Sequence, residues 1–151
     1  MSEYKFYIQK CRRDGTPIAG TMKNLEEDFD GLKYSKLVGI NQIGSNKNSY
    51  TENFVEANGV RTYVPDKATN NSTTLTLTLY FFGENRQRTF DEFNEFIRNG
   101  YSKWSDDARN KTFVFIIEKE IKIASEEWYN GNPYLCVNYS LTNIDGITKS
   151  I

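Results

Sequence analysis

The chain has 151 residues, with 19 Lys and Arg against 20 Asp and Glu, which gives a formal net charge of -1. This length is typical of one domain with a substantial core. The charge balance argues against nonspecific nucleic-acid binding, which needs a basic face, and no stretch reaches the roughly 18 apolar residues of a membrane-spanning helix.

The chain contains no histidine. Its absence removes the most common general base, the Ser/His/Asp and Cys/His catalytic arrangements and every zinc site that uses histidine. The two cysteines, Cys11 and Cys136, are expected to stay thiols, because the first residues lack a signal peptide and the cytoplasm is reducing. We therefore expect a protein that is not an enzyme, with no catalytic residue, no cofactor and no metal.

Strand patterns dominate the chain. Aromatic residues make up 15% of it, and aromatic and β-branched residues favour strands. The strongest pattern covers residues 73–82, where Leu75, Leu77, Leu79 and Phe81 alternate with more polar neighbours. We predict further strands, in chain order, over residues 4–10, 32–40, 112–117 (with 121–123 as a possible continuation) and 134–141.

A long segment with little periodicity separates the predicted strands 32–40 and 73–82. Residues 41–72 are rich in Asn, Ser and Thr, and only residues 60–64 suggest a short strand. So long a loop is uncommon inside a compact domain unless it is used. It carries several large apolar side chains, and we predict as subunit-interface anchors Tyr50, Phe54, Tyr63 and Val64.

One helix is predicted, over about residues 89–99. Thr89 and Glu92 have the spacing of a capping box. An apolar face with the helical period follows, and Asn99-Gly100 is a typical helix end. The residues of that apolar face are Phe90, Phe93, Phe96 and Ile97.

These elements predict an α+β fold that is mainly β. We expect an antiparallel β-sandwich or barrel, with one flanking helix (about 89–99) and a long loop (about 41–72). No internal repeat and no linker divides the sequence. Residues 1–151 are therefore interpreted as a single domain.

Two clusters of residues have both a functional and a structural interpretation. Four carboxylates within residues 26–30 are either a calcium site or a solvated turn, and their spacing matches no EF-hand loop, which favours the turn. Four aromatic residues are either a platform for stacking sugars or part of the core or an interface. They are Trp104, Trp128, Tyr129 and Tyr134.

Several segments together resemble a known family of virion proteins. Residues 61–66, the Thr/Leu strand, residues 82–86 and residues 89–96 are similar to small tail proteins of phages and prophages from gut Bacteroides-type bacteria. The resemblance covers roughly residues 4–142. It implies the tail-tube and distal-tail fold: two packed antiparallel sheets, a flanking helix and a long loop that reaches a neighbouring subunit.

The resemblance also implies a function. The expected protein is a structural subunit of a virion tail, made in the host cytoplasm, that forms rings with itself through sheet edges and the long loop. By family analogy the rings are hexamers that bind other tail proteins, with no membrane, nucleic-acid or small-molecule partner. Tube, terminator, distal-tail and baseplate positions, and phage-derived injection particles, stay open. The alternative is a carbohydrate-binding β-sandwich that displays Trp104, Trp128 and Tyr134.

Overall fold

The computed structural model describes residues 5–44, 50–53, 60–63, 70–129 and 131–150. The described part consists of antiparallel strands and one helix. In chain order these elements are β1 (Phe6–Cys11), β2 (Lys23–Asn24), β3 (Leu32–Val38), β4 (Tyr50–Asn53), β5 (Val60–Tyr63), β6 (Thr73–Phe82), α1 (Arg86–Arg98), β7 (Tyr101–Asp106), β8 (Lys111–Ile116), β9 (Lys122–Tyr129), β10 (Asn132–Asn143) and β11 (Lys149–Ser150).

The main sheet folds back on itself without closing. Its strand order is β2-β1-β7-β8-β10-β6-β3, with β11 added beside β8 and β9 beside β10. Only two residue pairs join β8 to β10, Thr142 with Ile116 and Asn143 with Phe115, so the sheet bends there into two halves. The halves face each other, because the rings of Phe6 in β1 and Tyr34 in β3 stack with centroids 4.0 Å apart. The mainly β, α+β fold class is confirmed, as an open sheet.

The core lies between the two halves and is fixed by the alternation of β6 and β10. The four apolar residues of β6 that the sequence places on one face are all fully buried. Their register partners in β10 share that face and are buried with them, namely Leu135, Val137, Tyr139 and Leu141. The predicted alternation of β6 is therefore confirmed.

Helix α1 lies against this core, but it begins earlier than expected. It starts at Arg86, and the preceding Asn85 makes no side-chain cap. The capping box does not form, because Thr89 is buried and its Oγ1 donates a hydrogen bond of 2.8 Å to the Asp30 carbonyl oxygen. Phe90, Phe93 and Ile97 are buried as predicted.

Several strands differ from the prediction. Strand β7 was missed, β4 pairs with the predicted β5, and β9 is a separate strand beside β10 rather than a continuation of β8. In the described part of the chain, no helix is long and apolar enough to cross a membrane.

Candidate subunit interface

A small hairpin stands apart from the main sheet. Strands β4 and β5 pair antiparallel, with Tyr50 opposite Tyr63, and form a two-stranded sheet of their own. The other predicted anchors, Phe54 and Val64, lie outside the described residues. An isolated two-stranded hairpin is marginally stable in water. This hairpin therefore needs other surfaces to support it.

The chain leaves and rejoins the body of the protein at one point. We call the segment between Gly44 and Asn71 the arm. The Gly44 amide donates a hydrogen bond of 2.7 Å to the Gly146 carbonyl oxygen. A Cβ atom added at either glycine would overlap the Asn71 carbonyl oxygen. The three backbones therefore touch, and both ends of the arm lie against the turn that follows β10.

Two long strands lie at edges of the main sheet and have a neighbouring strand on one side only. Among the described residues, β3 pairs only with β6 and β9 pairs only with β10, and the two strands have seven and eight residues respectively. The strands β2 and β11, which partly cover β1 and β8, have two residues each. Long unpaired edges offer rows of N–H and C=O groups to another strand. On β3, the Leu32 and Tyr34 amides already donate hydrogen bonds to the Phe29 carbonyl oxygen and to Glu26. The C-terminal half of β3 and the edge of β9 are thus the parts of the sheet best suited to pair with another chain.

The outer face of the half-sheet β3-β6-β10-β9 carries an aromatic cluster. Tyr80, Phe82 and Tyr134 are half-buried, and each pair of rings has centroids 5.6–5.9 Å apart. Of these three residues, the sequence predicts a possible site role only for Tyr134. The available signal was the continuation of the Thr74–Thr76–Thr78 face of β6 into Tyr80 and Phe82.

The burial of Trp104 counts against the carbohydrate-binding alternative. This alternative requires Trp104 to be displayed, but Trp104 is fully buried in β7 and stacks on Phe6 with ring centroids 5.6 Å apart. A buried ring cannot stack on a sugar, so for Trp104 the interpretation as a core residue is confirmed. Tyr134 is half-buried, and the side chains of Trp128 and Tyr129 lie outside the described part of the structure.

Two carboxylates of the acidic segment 26–30 accept hydrogen bonds from backbone amides. Glu26 accepts a hydrogen bond of 2.9 Å from the Tyr34 amide, and Asp28 accepts one of 2.6 Å from the Asn24 amide. Within the described residues, no three Asp, Glu or Cys side chains are arranged to hold a metal ion. At least two of these carboxylates therefore have structural partners.

Lys10 ties the end of α1 to the sheet. Its Nζ donates hydrogen bonds to the Asn99 carbonyl oxygen at 2.6 Å and to Ser102 Oγ at 3.0 Å, and it lies 5.1 Å from the centre of the Phe96 ring. Burial lowers the pKa of Lys10 to about 8, although the neighbouring Cys11 acts in the opposite direction. These contacts anchor the end of α1 to the sheet.

Comparison with known proteins identifies the fold. No protein-family model and no curated protein sequence matches the chain. Among solved structures, it is similar to the SPP1 Dit (gp 19.1) protein, described as a paradigm of the hub adsorption apparatus in phages that infect Gram-positive bacteria. The TM-score is 0.51, with 13% identity over 97% of this chain and 52% of the Dit chain. The chain thus spans about half of the Dit structure, and the match shows a shared fold.

Proposed function

We propose that this protein is a structural subunit of a phage or phage-derived tail, which assembles with copies of itself into rings. The fold shared with the Dit hub protein supports a tail protein. By analogy with the tail family the ring is a hexamer that binds other tail proteins in the virion. The observation that carries the proposal is the pair of long open edges on one half-sheet.

Strand directions make these two edges compatible. In the half-sheet β3-β6-β10-β9 every neighbouring pair is antiparallel, so β3 and β9 at its ends run in opposite directions. When copies are placed side by side by a rotation, β9 of one copy meets β3 of the next in antiparallel orientation. Repeating one such heterologous contact closes a ring if the rotation divides a full turn.

Charge favours the pairing of unlike edges. Strand β3 carries Lys33 and Lys36 and no acidic residue, whereas residues 118–127, which include most of β9, carry four glutamates and two lysines. Opposite charges across an interface select the partner and its register, and like charges in contact are costly. Pairing of β3 with β9 therefore brings unlike charges together, while β3 with β3 or β9 with β9 would bring like charges together.

Charge reversal tests the edge contact. We expect Lys33→Glu/Lys36→Glu to weaken self-association by about tenfold or more, because the β3 edge then repels the β9 edge of the next copy. Size-exclusion chromatography with light scattering measures the loss. Lys111→Glu/Lys149→Glu is the matched control, since it makes the same change in net charge on the β8 and β11 side and should leave assembly unchanged.

Mixing two reversed proteins makes this test sharper. A second variant, Glu120→Lys/Glu127→Lys, reverses one charge just before β9 and one within it, and should also fail to assemble alone. An equal mixture should assemble again, because each variant then faces an edge of opposite charge, and the ring must alternate between them. Wild-type protein that stays monomeric at every concentration would overturn the proposal.

The arm is the second part of the proposed interface, with Tyr50, Phe54, Tyr63 and Val64 as anchors. Deleting residues 45–67 should abolish assembly and leave the sheet and helix folded, because Gly44 and Asn71 already touch and residues 68–70 remain to join them. Light scattering or negative-stain microscopy measures assembly, and circular dichroism measures folding. Normal rings from the deleted protein would show that the arm is dispensable.

The carbohydrate-binding alternative predicts different behaviour. A sugar-binding module would be a stable monomer that binds glycans through exposed aromatic residues such as Tyr134. Binding on a glycan array together with an absence of self-association would favour it over the tail subunit. The burial of Trp104 removes one of the three residues on which it was based.

A further inference from the structure

The arm leaves the sheet through a crossing that only glycine fits. Gly44 before the arm, Asn71 after it and Gly146 in the turn after β10 form what we call the arm clamp. A Cβ atom at Gly44 or at Gly146 would overlap the Asn71 carbonyl oxygen. Gly146 also has φ of +66°, in the left-handed region that favours glycine. The chain thus brings three backbone segments into contact through the two residues without side chains.

The turn that completes the clamp is tied firmly to the sheet. Asn143, the last residue of β10, is almost fully buried and pairs with Thr73. Its side chain accepts a hydrogen bond from the Asp145 amide at 3.2 Å and donates one to the Ile147 carbonyl oxygen at 3.1 Å. The turn therefore has little freedom to move relative to β10.

A second bond connects the same turn to the chain ahead of the arm. Thr148 Oγ1 donates a hydrogen bond of 3.1 Å to the carbonyl oxygen of Ile40, which is itself buried. Together with the bond from Gly44 to Gly146, it fixes the chain at two points within five residues of the arm. The route from the sheet into the arm is thereby set by the C-terminal turn.

We propose that the arm clamp fixes the direction in which the arm leaves the sheet, and that ring formation requires this direction as well as the arm itself. The inference rests on the proposed function, because it assumes that the arm reaches a neighbouring subunit. It makes Gly44, Gly146 and Thr148 positioning residues, which act on the interface without touching the neighbouring copy.

Two glycine substitutions at the same backbone φ test the proposal. Gly146→Ala introduces a Cβ atom at φ of +66° that overlaps Asn71, while Gly100→Ala introduces one at the same φ with no atom within 4 Å. Only the first should open the clamp. We expect amide exchange at Gly44 to rise by about tenfold or more in Gly146→Ala, since its hydrogen bond is lost, and to stay as in wild type in Gly100→Ala.

Assembly is measured on the same proteins by light scattering. Loss of rings in Gly146→Ala, with rings retained in Gly100→Ala, supports the proposal. Rings that form normally while Gly44 exchanges fast, or an unchanged exchange rate at Gly44, overturn it. If Gly146→Ala does not fold, Gly44→Ala and the milder Thr148→Val, which removes only the hydroxyl bond to Ile40, are judged by the same two measurements.

The two proposals fail in different ways. A wild-type protein that never self-associates contradicts ring assembly itself, and with it the role of the clamp in rings. Wild-type rings that persist in every clamp variant with fast Gly44 exchange contradict the clamp proposal alone. Amide exchange at Gly44 reports on the clamp in either case when it is measured below the concentration at which copies associate.

Discussion

Replacing Phe93 with alanine should lower the free energy of unfolding by about 3–5 kcal/mol, the usual loss for truncating a buried Phe. Phe93 of α1 is fully buried and packs its ring edge-to-face against Phe29 and Tyr139, with centroids 5.1 and 5.5 Å away. Phe81 of β6 lies 6.1 Å from it. The side chain therefore joins the helix to β6, to β10 and to the loop before β3, and its removal leaves a cavity shared by all of them.

Urea unfolding of Phe93→Ala and Phe96→Ala measures this difference. Phe96 lies on the same helix but is only partly buried, next to the Lys10 ammonium group and 6.0 Å from the Phe29 ring. Its loss should cost roughly 1–2 kcal/mol, since less apolar area is removed from water on folding. Equal losses for the two variants would contradict the assignment of the buried helix face.

Local patterns predicted most of the central sheet and the buried face of the helix. Leu75 to Phe81 alternate with a period of two, and Phe90, Phe93 and Ile97 have the helical period, so burial follows from the sequence directly. The residue at which the helix begins could not be predicted from local patterns. Thr89 has the spacing of a cap, yet its hydroxyl binds Asp30, a partner 59 residues away in sequence.

Strand β7 was missed because its buried face is polar at two of three positions. Ser102, Trp104 and Asp106 are fully buried, and a hydropathy pattern treats Ser and Asp as exposed. Both are accommodated by distant or reverse-turn partners, Lys10 for Ser102 and Arg109 for Asp106. Burial of such residues depends on tertiary hydrogen bonds, which a sequence pattern does not contain.

The proposed interface likewise depends on long-range contacts that a sequence pattern does not contain. The sequence predicts a long segment with apolar anchors between two strands, and the structure adds that both its ends meet at Gly146. That contact joins residues about a hundred positions apart. Both positions require glycine because a Cβ atom at either would overlap the Asn71 carbonyl oxygen. The open edges of β3 and β9 likewise follow from strand order, which is a long-range property of the chain.

Removing Arg109 should destabilise the protein by about 3 kcal/mol, the low end for breaking a buried ion pair. Asp106 is fully buried, and its carboxylate accepts hydrogen bonds from Arg109 Nη1 at 2.7 Å, from the Arg109 amide at 3.0 Å and from Trp104 Nε1 at 3.4 Å. Arg109→Ala leaves that carboxylate without its cation. The Arg109 side chain is 38% exposed, so water entering its place limits the loss.

Two further variants separate the buried charge from the general effect of losing an arginine. Arg88→Ala removes an arginine whose ion pair with Glu92 spans 4.0 Å between two exposed side chains, and it should change stability by less than about 0.5 kcal/mol. Asp106→Asn added to Arg109→Ala should recover part of the loss, because the amide retains hydrogen-bonding capacity without a buried charge. All are measured by urea unfolding. If Arg109→Ala costs no more than Arg88→Ala, the Arg109 guanidinium is not what stabilises the buried Asp106 carboxylate. The hydrogen bonds from the Arg109 amide and from Trp104 are then sufficient to hold the end of β7.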